Sequence, residues 1–206
     1  MQNYYNDLVT KKSWLTLQDL RGKLDFVLIG GWAVYLYTRA LKSKDIDLIV
    51  NYDQLEKLWT DFKVVKNDRL KKYEARNDEV QIDVYLPHFS DFGVPVEVIT
   101  KDTVTKETFI VPRLEKLLIL KQLAYIHRGL SAKGQKDRID ILSLILSPDF
   151  DPNFYKKELA KTGRMDLFSD LKKLITRTVK IPEIGVNEHY WSRAKKKILE
   201  DLKNCQ

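Results

Sequence analysis

Cysteine is almost absent from this sequence: Cys205, second from the end, is the single one. No internal disulfide can form, and no cysteine-based metal site can be built. Histidine is nearly as scarce, and His88, His127 and His189 are too scattered for a zinc site. No run of roughly 20 apolar residues occurs, so no segment reads as a membrane span. The opening residues, Met1 to Trp14, hold no apolar core of signal-peptide length. With the lone cysteine, this gives the expectation of a cytoplasmic protein with no membrane partner. No Ser or Cys stands in a GxSxG setting, which removes the nucleophile-elbow hydrolases. Repeats and low-complexity segments are absent too.

What is present is ordinary globular material: 44% hydrophobic and 32% charged residues in 206. That length allows one large domain or two small ones, with a real core. The net charge of +7 favours polyanionic partners, nucleotides or nucleic acid. Part of the excess lies in the run Arg193-Ala194-Lys195-Lys196-Lys197.

Two hydrophobic periods divide the chain. Up to about residue 111, short apolar runs alternate with helix-length segments. A leading helix is expected over residues 1–23, with Ser13 as an N-cap and Gly22 as a stop. Strands follow at Leu24–Ile29 and around Asp45–Val50, on either side of a helix near Trp32–Leu41. A short helix at Asp53–Asp61 would be opened by a capping box. A hairpin is expected over Arg69–Arg76 and Glu79–Leu86, turning at Asn77-Asp78. Val94–Ile99 and Thr108–Val111 read as short edge strands. From Pro112 the period becomes 3.6. Helices are expected from Pro112 to Gly129, over Gln135–Leu146, from Pro152 to Gly163, over Asp166–Thr178, and from Glu188 to about Asn204. The domains expected are therefore 1–111, with a sheet, and 112–206, all helical.

The stretch Gly30–Val50 carries the chemistry. A Gly-Gly pair closes the apolar run Phe26–Ile29 and opens a helix, where backbone N–H groups can approach an anion closely. In the strand that follows, Asp45 and Asp47 point the same way, with Ile46, Leu48 and Val50 opposite. Asp is depleted from strands, and two parallel carboxylates repel each other. A hard divalent cation between them would relieve that repulsion. A phosphate cradle beside metal-binding acids points to metal-assisted phosphoryl or nucleotidyl transfer. Asp83 is one more acid inside an apolar strand, sharing a face with Gln81 and Tyr85.

Gly30-Gly31, a thirteen-residue gap, then Asp45-Ile46-Asp47 resembles the glycine-plus-DxD signature of the nucleotidyltransferase superfamily that includes polymerase beta. The wording GGWAVYLY…SKDIDL is most similar to the abortive-infection (AbiEii-type) toxin branch. The resemblance implies an α+β chain: a polymerase-beta-like fold on a small mixed β-sheet, then a helical C-terminal half. It also implies that Asp83, in QIDVY, is a third metal ligand beside Asp45 and Asp47. Two Mg²⁺ ions so held would clamp the attacking and leaving oxygens of an in-line displacement on an NTP, with Gly30 and Gly31 around the triphosphate.

The first long helix places Lys121 on the face of Leu114, Leu117, Leu118 and Tyr125, with Arg128 beside it, at about 100° per residue. Cations usually take the polar face, so these two either snorkel or meet a buried anion. The next helix sets Asp137 and Asp140 on a face with Ile141 and Leu144. Interhelical ion pairs would satisfy all four. The segment PRLEKLLILKQLAYIHRGLSAKGQKDRIDILSL is also similar to a later motif of the abortive-infection family. By that resemblance Lys121, Lys136 and Asp137 serve nucleotide phosphate or the substrate. Two positions depart from the superfamily pattern: Gly31 stands where many members have Ser, and Leu41 where Arg is expected, with Arg39 and Lys42 nearby. The function implied is NMP transfer from NTP to an acceptor hydroxyl, RNA such as tRNA first, with a cognate antitoxin protein as a possible partner. The rivals are a catalytically silent nucleotide- or RNA-binding module, and transfer to a small molecule such as an antibiotic.

Overall fold

The computed structural model describes residues 7–77 and 80–205. It divides into two compact units, one ending at Arg113 and the other beginning at Leu114.

In the first unit, α1 (Asp7–Arg21) leads to β1 (Val27–Ile29), α2 (Gly30–Thr38) and β2 (Ile46–Ile49). Next come α3 (Tyr52–Asp61), β3 (Lys63–Asn67), β4 (Lys72–Asn77) and β5 (Val80–Tyr85). A one-turn helix, α4 (Val96–Thr100), precedes the hairpin of β6 (Thr103–Lys106) and β7 (Phe109–Pro112). The main sheet is five-stranded, in the order β1-β2-β5-β4-β3. Only β2 and β5 pair in parallel; the other three pairings are antiparallel. One face of the sheet is core: Ile46, Leu48, Ala75, Ile82 and Val84 are all fully buried. Strict alternation sends the residues between them to the other face.

Helix α2 is apolar almost all round, and Gly31, Trp32, Ala33, Val34 and Leu36 are buried, as such a helix must be. The Trp32 Nε1–H donates to Ser13 Oγ at 2.8 Å, which fastens α2 to the middle of α1. Ser13 is thus an interior residue of α1 and not the expected N-cap.

Other expectations shift as well. Pro112 closes β7, and the long helix starts at Leu114. Asn51, and not Asp53, stands at the N-cap of α3, whose cap has no side-chain hydrogen bond. The segment expected as a strand at Val94–Ile99 forms α4 in its second half. Strand β3 was not expected at all. The turn residue Asp78, the strand start at Glu79 and the residues ahead of Asp7 lie outside the described residues.

The second unit holds α5 (Leu114–Arg128), α6 (Ala132–Ile145), α7 (Pro152–Thr162), α8 (Asp166–Arg177) and α9 (Glu188–Asn204). Local caps set several boundaries: Ser131 accepts from the Gly134 N–H, Asp151 from Asn153 and Phe154, and Asn187 from Tyr190. Gly163 ends α7 in the left-handed region. The core includes Leu117, Ile139, Leu142, Leu144, Tyr155, Leu159, Leu171 and Ile175, all fully buried. Trp191 is also core, its Nε1–H donating to Thr178 O at 3.0 Å. Among the described residues no helix is long and apolar enough to cross a membrane.

Candidate active site

The polar face of the main sheet is ordered row by row through its register. Asp47 pairs with Asp83 across the parallel β2–β5 ladder, and Asp83 pairs with Glu74 across β5–β4. Three carboxylates therefore stand side by side on adjacent strands, which are spaced by about 4.8 Å. Asp45 lies in the bend just ahead of β2 and, like Asp47 and Asp83, is half-buried.

On the other side of Asp47 is the glycine turn. Asp47 pairs with Ile29 of β1, so Gly30 follows immediately beside it. Gly30 has φ +68°, and a Cβ there would stand 2.0 Å from Asp47 Oδ2 and 2.7 Å from Asp47 Cβ. The glycine is required twice over, by its left-handed backbone and by the carboxylate lying against it. The N-cap of α2, Ile29, offers no side chain to the first N–H groups of the helix, and its first turn holds no acid. Those donors suit an anion.

Asp83 has a different environment. Its Oδ2 accepts from Lys72 Nζ at 2.6 Å and its Oδ1 from Gln81 Nε2 at 2.8 Å. Lys72 is buried, and its Nζ is also 3.2 Å from Glu74 Oε1. Glu74 further accepts from Asn67 Nδ2 at 3.0 Å and faces Arg76 Nη2 at 3.2 Å. Burial alone would raise the pKa of Glu74, but the Asn67 and Lys72 hydrogen bonds prevail and hold it below the usual carboxylate range.

The oxygen donors of Asp45 and Asp47 are of the kind a hard divalent cation takes, and Asp47 lies against the bare backbone of Gly30. Asp83, expected as the third ligand, has both oxygens held by Lys72 and Gln81. Among the described residues no group of three His, Cys, Asp or Glu side chains stands ready around one point.

Lys72, Glu74 and Gln81 were not among the expected site residues. The signal was there: Lys72, Glu74 and Arg76 alternate with Tyr73 and Ala75, a charged face on a half-buried strand. His88, by contrast, is exposed and faces Glu97, its Nδ1 3.1 Å from Oε1.

In the helical unit the expected cations and acids do come together. Lys121 Nζ is 3.3 Å from Asp137 Oδ1 and 2.7 Å from Asp140 Oδ2. Arg128 Nη1 donates to Asp137 Oδ2 at 2.8 Å, and Lys136 Nζ is 3.7 Å from Asp140 Oδ2. Asp140 is wholly buried; its approach to Lys121 lacks hydrogen-bond alignment, and its Oδ1 has no hydrogen-bond partner among the described residues. Removing one partner from such a cluster strands a buried charge, at a cost of about 3–5 kcal/mol. Lys121→Met should therefore melt well below wild type, and Lys121→Met/Asp140→Leu should recover most of the loss. If Lys121 serves nucleotide phosphate, as the motif resemblance implies, nucleotidyl transfer should stay low in the double variant. Recovery of activity together with stability would make Lys121 a purely structural residue.

No protein-family model matches the chain, and no curated protein matches it either. Solved structures do. A candidate nucleotidyltransferase from Helicobacter pylori superposes with a TM-score of 0.55 at 14% identity, covering 97% of this chain and 98% of that one. JHP933, also from Helicobacter pylori, gives 0.54 at 15% identity, with 96% and 94% covered. The chain thus has the nucleotidyltransferase fold, an α+β architecture with a mixed sheet and a helical C-terminal half.

Proposed function

We propose that this protein is a Mg²⁺-dependent nucleotidyltransferase that moves NMP from an NTP to an acceptor hydroxyl, and that the acceptor is RNA of the tRNA class. The observation that carries the reading is the seating of Asp47 against Gly30, which sets an acid beside a helix N-terminus whose N-cap residue, Ile29, makes no side-chain cap. Those N–H groups would receive the triphosphate, and Asp45 and Asp47 would hold the metal. When bound there, Mg²⁺ supplies charge stabilisation to the transferring phosphoryl group. The acceptor oxygen forms the new bond to the α-phosphorus, the bond to the pyrophosphate oxygen breaks, and the hydroxyl proton passes to solvent. Asp83 Oδ2 already accepts from Lys72, so an acceptor hydroxyl would have to displace that lysine to reach it. Lys121 keeps the role that the motif resemblance implies, offsetting phosphate charge, with Lys136 and Asp137 in support.

RNA is favoured by the +7 net charge. The resemblance to abortive-infection toxins points the same way and adds a cognate antitoxin and a cytoplasmic setting. The test is incubation with four separately labelled NTPs, Mg²⁺ and total RNA, with products resolved by size. Label should enter a tRNA-sized band from one NTP in particular, and binding of that RNA should weaken steeply with salt as counterions are released. If no RNA is labelled or bound at low salt, the acceptor is a small molecule or a protein. If no acceptor of any class takes label, the protein is a silent binding module.

A further inference from the structure

A lysine buried within a catalytic sheet needs a reason, because an ammonium loses most of its hydration there. Lys72 is 7% exposed, and the same face carries Asp47, Asp83 and Glu74 in one row. Its Nζ is 2.6 Å from Asp83 and 3.2 Å from Glu74, so it bridges two of the three acids. Gln81 holds the remaining oxygen of Asp83, and Asn67 and Arg76 hold Glu74. Every oxygen of those two carboxylates thus faces a protein donor. Of this row only Asp47, at the Gly30 end, belongs to the Asp45–Asp47 pair at the start of β2.

We infer that Lys72 is a built-in cation at Asp83, standing where a second divalent ion would otherwise bind, so that the sheet holds a single ion at Asp45 and Asp47. Lys72 is then a positioning residue: it fixes Asp83 and sets the field beside the metal-binding pair without moving during turnover. A lysine in this place has a further consequence. Unlike a dissociable ion, it is present at every metal concentration, so the charge at Asp83 does not depend on Mg²⁺ supply. Removing it would take the lysine from between Asp83 and Glu74 and leave their carboxylates, in one row with Asp47, with less positive charge beside them, an arrangement that attracts a divalent ion.

The inference rests on the proposed metal site, and its test is Mn²⁺ binding followed by electron paramagnetic resonance, with Mn²⁺ alone as the probe. Wild type should bind one Mn²⁺ per chain and Asp47→Asn none. Lys72→Met should gain a second Mn²⁺, and its transfer activity should fall roughly 10–100-fold, the range seen when a group supporting a metal site is lost. Lys72→Arg should keep one Mn²⁺ and most activity. Should Lys72→Met fold poorly, Lys72→Met/Glu74→Gln removes one charge of each sign and should still show the second ion. Two Mn²⁺ ions in wild type would overturn the inference while leaving the metal site at Asp45 and Asp47 intact. A Lys72→Met protein that melts lower yet still binds a single ion would reduce Lys72 to a structural counter-ion. No binding by wild type would remove the metal site itself, and this inference with it.

Discussion

Asp47→Asn is expected to abolish nucleotidyl transfer while leaving the fold intact. Asp47 is the acid that lies against Gly30 and stands in register with Asp83. With Asp47 as the metal ligand proposed above, its loss should cost more than the roughly 10–100-fold typical of an outer partner. The amide is nearly the same size, so packing against the glycine survives. Stability should move the other way. Acids gathered for a ligand repel one another until it binds, and functional sites of this kind carry a stability cost that substitution relieves. The metal-free variant should melt at or slightly above wild type, by at most ~1–2 kcal/mol. Wild type should gain stability from Mg²⁺ and NTP, which bind only the folded state, and the variant should lose most of that gain. Melting curves of both proteins, with and without Mg²⁺–NTP, decide the matter. A metal-free drop in the variant, with no ligand response in wild type, would make the acids structural.

Gly30→Ala is expected to damage both stability and activity. A left-handed backbone at a non-glycine residue costs about 1–3 kcal/mol. The new methyl would also stand 2.0 Å from Asp47 Oδ2, far inside contact distance, so the carboxylate must leave its position. Transfer should fall to near the level of Asp47→Asn, with a lower melting temperature as well. That combination separates the two variants, since only one of them strains the backbone. An alanine variant that melts like wild type and turns over normally would show that the close seating of Asp47 is not needed.

The DxD strand was legible because alternation is a strong local signal: Ile46 and Leu48 are wholly buried while Asp47 is not. The helical half was legible for a similar reason, since Pro152 and Gly163 stand at its boundaries as their chemistry dictates. The pairing of Lys121 and Arg128 with Asp137 and Asp140 could be foreseen from helix faces alone. Failures came where tertiary contacts overrode local preference. Ser13 resembles a cap, but its hydroxyl meets an indole nineteen residues away, which no local window contains. Val96–Thr100 is rich in β-branched residues, yet it forms a single helical turn after Pro95. β3 is an edge strand with much of its side-chain surface exposed, so burial leaves little imprint on its sequence. Lys72 was passed over because a lysine in a strand ordinarily marks a solvated face, and only the register shows it enclosed by acids.

The alternation that hides Ile82 and Val84 is also what presents Asp83, so the core and the acidic face share one setting of β5 against β2. Sliding that ladder by one residue would bury the carboxylate and expose two core side chains together. Point substitution can therefore tune the acids, but insertion or deletion within either strand cannot spare one face while altering the other. A change of length is compatible with both faces only in stretches outside the ladder, such as the turn at Asp68–Lys71. Selection for folding alone would thus keep the spacing on which the proposed chemistry depends, even in a lineage that did not use it.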